Sequence, residues 1–197
     1  MIAVVKYNAG NIRSILCALE RLGVEAVVTD DESLLKNADK VIFPGVGEAS
    51  TAMNYLKKKG LDTVLTSLTQ PFLGICLGLQ LMCAHSEEND TKCLGIFDTE
   101  VLRFPPQPGV KIPHMGWNTI VPSNNPLFKG VKSDAFTYFV HSYYAVKTAS
   151  TIATCHYDNL DFSASINRDN FYGVQFHPEK SGEIGSLILQ NFLEIQS

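Results

Sequence analysis

Little in this sequence is long, repeated or strongly charged. No apolar run in its 197 residues approaches the roughly 20 needed to cross a bilayer, so no membrane partner is expected. The first residues, Met1-Ile2-Ala3-Val4-Val5-Lys6, lack a basic stretch followed by a long apolar one. They read as a strand that starts the fold rather than as a signal peptide, and the expected setting is the cytoplasm. No internal repeat, low-complexity tract or linker breaks the chain, so a single domain is expected over residues 1–197. Charge is nearly balanced, with 16 Lys and Arg against 20 Asp and Glu, a net of −4. The largest basic cluster is Lys57-Lys58-Lys59, expected on a solvated helix face, which argues against nucleic acid as a partner. The five cysteines, Cys17, Cys76, Cys83, Cys93 and Cys155, are scattered and never spaced as CxxC. Neither a disulfide framework nor a zinc site follows from them, and no metal or cofactor is expected.

What is present is an ordinary globular composition, 45% hydrophobic, enough for a sizeable core. The first half alternates short β-branched runs with helical patterns. Strands are predicted at Ile2–Lys6, Glu25–Thr29, Lys40–Phe43 and Phe72–Ile75. Helices are predicted at Asn11–Leu22, Ala49–Lys58 and Leu77–His85. That rhythm implies a parallel sheet with helices on both faces. The second half reads as antiparallel strands at Thr119–Val121, Ala135–Val140, Thr151–His156, Phe162–Asn167 and Tyr172–Phe176, closed by a helix at Gly182–Ile195. The expected class is α/β, an open mostly parallel sheet with added antiparallel strands.

Gly74-Ile75-Cys76-Leu77-Gly78 lies between a buried strand and a helix. G-x-C-x-G in that setting is the pattern of a nucleophile elbow, where glycines on either side let backbones pass without a Cβ clash. The following helix N-terminus would stabilise a thiolate, and the Leu77 amide could face an oxyanion. The competing reading is a buried structural thiol between packing glycines. The other four cysteines lack this context and read as packing residues.

A thiolate nucleophile calls for a histidine. In Phe176-His177-Pro178-Glu179, the residue before proline is held extended, and alternate residues of an extended chain face one way. Glu179 would then hold one ring nitrogen of His177 and leave the other for the sulfur. A surface turn is the alternative for His-Pro-Glu alone. Pro44-Gly45-Val46-Gly47, after a predicted strand, could offer backbone amides to a ligand or be a plain turn; it lacks the Lys and Ser/Thr of a phosphate loop.

Together, Pro44–Gly47, Gly74–Gln80 and Phe176–Ser181 resemble the class I, triad-type glutamine amidotransferases over essentially the whole chain. A narrower resemblance rests on Tyr7-Asn8-Ala9-Gly10-Asn11, Pro113-His114-Met115-Gly116-Trp117-Asn118 and Phe139-Val140-His141-Ser142-Tyr143. It points to glutaminase subunits of imidazole glycerol phosphate synthases, in histidine biosynthesis. The resemblance implies glutamine as substrate, Cys76, His177 and Glu179 as the triad, and Val46, Gly47 and Leu77 around the oxyanion. It implies Gln80 and Glu88 at the α-amino group of glutamine, and Ser142 and Tyr143 at its carboxylate. Asn11, Trp117, Tyr138 and Lys180 would lie near a cyclase subunit, a β/α barrel, in a heterodimer that receives the ammonia. A chain of this length leaves no room for that synthase. A paralogue feeding a different synthase, a stand-alone Cys-His-Glu hydrolase and a decayed regulatory module are the other readings. The oxyanion loop is expected to rest in an inactive orientation and to flip on activation.

Overall fold

The computed structural model describes residues 1–7 and 11–196; Asn8, Ala9 and Gly10 of the Tyr7–Asn11 run lie outside the described residues, as does Ser197. In chain order the elements are β1 (Ile2–Val5), α1 (Ile12–Arg21), β2 (Ala26–Thr29), α2 (Glu32–Lys36), β3 (Lys40–Phe43), α3 (Ala49–Lys59), α4 (Leu61–Thr66), β4 (Phe72–Ile75) and α5 (Leu77–Met82). They continue with β5 (His85–Ser86), β6 (Thr91–Lys92), β7 (Glu100–Arg103), β8 (His114–Pro122), β9 (Ala135–His141), β10 (Tyr143–Ala145), β11 (Thr151–Tyr157), β12 (Leu160–Arg168), β13 (Phe171–Val174) and α6 (Gly182–Glu194).

Nine strands form one sheet in the order β2-β1-β3-β4-β13-β12-β11-β8-β9. The pairings from β2 through β13 are parallel and those from β13 to β9 are antiparallel. The expected α/β class is therefore present, with the antiparallel part forming a broad extension. Alternation along the central strands sends side chains to two cores. Ala3, Val5, Val41 and Phe43 face one cluster with Met53 and Leu56 of α3 and Leu65 of α4. Ile2, Val4, Ile42 and Leu73 face the other with Ile15 and Leu19 of α1 and Ile188 and Phe192 of α6. Strands buried on both faces read as continuous apolar runs, as Ile2–Val5 does. Each fully buried Leu, Ile or Phe contributes about 1.5–3 kcal/mol. Among the described residues no helix is long and apolar enough to cross a membrane.

Several boundaries differ from the sequence reading. The helix predicted to reach His85 stops at Met82, because Cys83 turns extended at ψ 177 and α5 gives way to a second sheet. That sheet, β10-β7-β5-β6, contains two-residue strands that carry no readable period. The strand predicted at Thr119–Val121 begins earlier, at His114. Lys57, Lys58 and Lys59 are exposed in the last turn of α3, where cations meet the negative end of the helix dipole. Cys83, Cys93 and Cys155 are buried, as packing residues should be, but Cys17 lies exposed on α1 and is not one.

Candidate active site

Three parallel strands end at one edge of the sheet, and each delivers part of the site. β4 leads into Cys76, whose backbone sits at φ 53 and ψ −109, a conformation that L residues rarely adopt. The surroundings hold it there. The Cys76 N–H donates to the Val174 carbonyl at 2.8 Å, and its own carbonyl accepts from the Gln80 N–H at 3.2 Å. The flanking glycines explain the close passage of three backbones. A Cβ on Gly78 would stand 2.0 Å from the Phe43 carbonyl oxygen, and one on Gly74 would stand 2.8 Å from the Gly78 carbonyl carbon.

β13 leads to His177, whose side chain is fully buried. Its Nδ1 lies 2.8 Å from Glu179 Oε1, and its Nε2 has no hydrogen-bond partner among the described residues. The pair meets by a different route from the one expected. His177 is extended, at φ −98 and ψ 95, but Pro178–Lys180 is a single 3-10 turn rather than extended chain. The turn brings the carboxylate back under the ring, and the Ser181 hydroxyl pins it by donating to the His177 carbonyl at 2.7 Å. Burial by itself lowers the His177 pKa. The Cys76 sulfur, followed by the Glu179 carboxylate, outweighs it and raises the group to about 10. The arrangement therefore favours an imidazolium at His177, facing the Cys76 sulfur.

β3 leads into Pro44-Gly45-Val46-Gly47. The Tyr7 hydroxyl, buried beside it, donates to the Pro44 carbonyl at 2.5 Å and ties the loop to the end of β1. Burial, then the nearby Cys76, pushes the Tyr7 pKa well up, so the hydroxyl keeps its proton. The Leu77 N–H already has a partner, the Gly45 carbonyl, at 3.4 Å. The Gly45–Val46 peptide is trans, so the Val46 N–H points away from the Leu77 amide. The Val46 and Leu77 amides, from two of the three residues expected around an oxyanion, therefore do not converge in this conformation.

A cleft of about 340 Å³ opens over the sulfur, lined by Val46, Gly47, Cys76, Leu77, Gln80 and Glu88 on one side. Val140, His141, Ser142 and Tyr143 close the other side. Glu88 Oε2 accepts the Ala49 N–H at 2.7 Å, and burial pushes its carboxyl up. Gln80 spends its Nε2 on the Tyr143 carbonyl at 2.8 Å and on Gln175 Oε1 at 3.0 Å, which leaves its Oε1 for a ligand. An anionic Glu88 and a carbonyl oxygen of Gln80 suit an ammonium group.

Sequence reasoning passed over two histidines and one glutamine. His114 and His141 pair across β8 and β9, with His114 Nδ1 3.0 Å from His141 Nε2. His141 Nδ1 lies 2.7 Å from the Tyr143 carbonyl, which can only accept, so each ring donates toward the cleft rim. His114 stacks on Tyr157 and Phe139. Burial lowers His114 to about 4 and His141 to about 3. Both groups titrate near 6.5 in the unfolded chain. The stability they contribute is therefore complete above about pH 6.5 and lost as pH falls toward 4 and 3. The urea midpoint should fall steeply over that interval, and His141→Asn should flatten the fall; an unchanged slope would contradict this. The third residue is Gln175, buried two positions before His177. A polar side chain in the strand-like Tyr172–Phe176 run was its only signal.

The four residues expected near a partner separate into two groups. Trp117 is 56% exposed and meets Tyr138 edge-on at 6.0 Å, and Lys180 Nζ stands 5.8 Å over the Tyr138 ring. Met115 and Phe136, 66% and 58% exposed, extend this apolar face of the β8–β9 hairpin. Asn11 differs from the expectation. It is only 7% exposed, and its Nδ2 donates to Glu179 Oε1 at 3.0 Å, beneath the triad rather than on a contact surface.

The glutamine amidotransferase class-I family model matches residues 3–195, and the chain belongs to that family. Within it, the chain groups with the imidazole glycerol phosphate synthase HisH subunits. It is 60% identical over 195 residues to the protein of that name from Bacteroides fragilis, covering 98% of this chain and 99% of the relative. It is 58% identical to the one from Bacteroides thetaiotaomicron over the same shares. The solved structure of a putative GMP synthase component from Thermoplasma acidophilum superposes with a TM-score of 0.75 at 20% identity, covering 98% of this chain and 92% of that one. That likeness speaks for the fold alone.

Proposed function

We propose that this chain, acting as one glutaminase domain in the cytoplasm, is the glutamine-hydrolysing subunit of an imidazole glycerol phosphate synthase. The observation that carries the reading is the buried His177, held by Glu179 and raised by the Cys76 sulfur, at the strand ends beneath a cleft sized for an amino acid. Glutamine enters with its ammonium at Glu88 and the Gln80 oxygen and its carboxylate at the Ser142–Tyr143 backbone. The Cys76 thiolate attacks the side-chain amide carbon. The imidazolium of His177 protonates the departing nitrogen, and ammonia leaves with a glutamyl thioester behind. His177, now neutral, takes a proton from water; the hydroxide displaces the sulfur, and glutamate leaves with thiolate and imidazolium restored.

The tetrahedral oxyanion needs donors. The Leu77 N–H becomes free only if the Gly45 carbonyl rotates away, and the same rotation of the Gly45–Val46 peptide turns the Val46 N–H toward it. Gly47 closes that loop at φ 125, a backbone position suited to glycine. Such a resting state would keep glutamine hydrolysis low until a partner engages. The exposed apolar face bearing Met115, Trp117 and Phe136 fits a protein partner, read as the β/α-barrel cyclase subunit that consumes the ammonia. Passing ammonia directly between subunits keeps it from protonation in bulk water.

The test is glutamine hydrolysis by the chain alone and with a cyclase subunit carrying its nucleotide ligand. Stimulation of about tenfold or more is expected, a difference of about 1.4 kcal/mol or more in the barrier. Equal rates in both conditions would overturn the partner-gated reading.

A further inference from the structure

The triad is the sulfur, His177 and Glu179, and the structure holds a further polar group beside the sulfur. Gln175 follows β13, and its N–H continues the ladder by donating to the Ala164 carbonyl at 2.8 Å. The parallel pairing of Val174 with Ile75 sets the next residues, Gln175 and Cys76, side by side. The Gln175 side chain is fully buried, with Nε2 3.6 Å from Cys76 Sγ. Its orientation is determined by a chain of acceptors. The Tyr143 carbonyl can only accept, so Gln80 turns its nitrogen there. That same nitrogen meets Gln175, which must answer with its oxygen and so presents its NH₂ to the sulfur. A flipped amide would oppose two nitrogens and set an oxygen against the thiolate.

We propose that Gln175 is a catalytic residue for glutamine hydrolysis, an N–H donor that holds the Cys76 sulfur as a thiolate in its line of attack. An N–H aimed at sulfur favours the charged form over the thiol, which would instead donate toward the Val140 carbonyl, 3.9 Å away. The chain also links sulfur to substrate. With both Gln80 hydrogens committed, its oxygen faces the cleft, and a bound ammonium there polarises two amides in series toward Sγ. This last link rests on the reading of the cleft as a glutamine site; the donor role of Gln175 does not.

The test uses iodoacetamide, which reacts with thiolate and not thiol, with Cys76 modification read by mass spectrometry and no glutamine present. Cys17, the exposed cysteine, is replaced by serine throughout. Gln175→Met removes the donor at similar volume, and Gln175→Glu sets a carboxylate against the sulfur. Alkylation at pH 7 should slow by about tenfold in Gln175→Met and further in Gln175→Glu, with the Gln175→Met deficit shrinking at pH 9. Equal rates in all three chains at pH 7 would overturn the proposal. So would a Gln175→Met deficit as large at pH 9 as at pH 7, which marks altered access to the sulfur. If the variants do not fold, the Gln175 side-chain amide can be followed by NMR in the native chain and in Cys76→Ala. Loss of the sulfur should move the proton signal upfield, and an unmoved signal counts against the proposal. Failure here leaves the glutaminase reading standing, whereas absence of glutamine hydrolysis by the unaltered chain with its partner present would remove that reading and leave to Gln175 only its N–H contact with the sulfur.

Discussion

Cys76→Ala should lower glutamine hydrolysis by about a thousandfold or more while leaving the fold intact. The size of the loss follows from the site. Among the described residues that line the cleft Cys76 is the one thiol, and the other buried cysteines lie in apolar packing, where burial raises their thiols, Cys155 to about 12 for example. The fold should survive because alanine is smaller than cysteine and the elbow is held by backbone bonds from Cys76 to Val174 and from Gln80 to Cys76. The partner subunit supplied with ammonium salts should work at its normal rate in the complex with the variant. Glutamine turnover retained at even a tenth of the original rate, about 1.4 kcal/mol of lost transition-state stabilisation, would mean that another group carries the attack.

Gly78→Ala should destabilise the chain by about 3 kcal/mol, the upper range for overpacking, and lower the melting temperature by about 6–12 °C. The added Cβ would stand 2.0 Å from the Phe43 carbonyl oxygen and 3.4 Å from that of Pro44. Those atoms are backbone of the last residue of β3 and of the one after it, and the pairing of β3 with β4 cannot yield as a flexible side chain would. The strain would reach the Pro44–Gly47 loop, so activity in the folded fraction should fall too. Gly130→Ala is a useful contrast in space, since the nearest atom there would be Leu187 Cδ2 at 3.7 Å, although its φ of 78 carries its own backbone strain. A Gly78→Ala chain as stable as the native one would refute the close-passage account of the elbow.

The elbow was legible because its constraint is local: strand, glycine, nucleophile, glycine and helix follow within a few residues. His177 and Glu179 were legible as a pair, but extended-chain reasoning chose the wrong geometry, since Pro178 starts a 3-10 turn. Asn11 illustrates what spacing does not reveal. It bonds to Glu179 across 168 residues, and only the packing of α1 beside the 3-10 turn brings them together. His114 and His141 needed the β8–β9 register, and Gln175 needed the parallel match of β13 with β4. The sheet of β5, β6, β7 and β10 escaped because its shortest strands hold two residues each. Its position still matters to the site, because the Glu88 turn sits between β5 and β6.

The most direct test of the central claim is to acid-quench the chain during glutamine turnover, with its partner present, and map the adduct by mass spectrometry. The account predicts one glutamyl group, as a thioester, on the peptide that contains Cys76. Steady hydrolysis with that peptide unmodified, or with the glutamyl group on another residue, would contradict it.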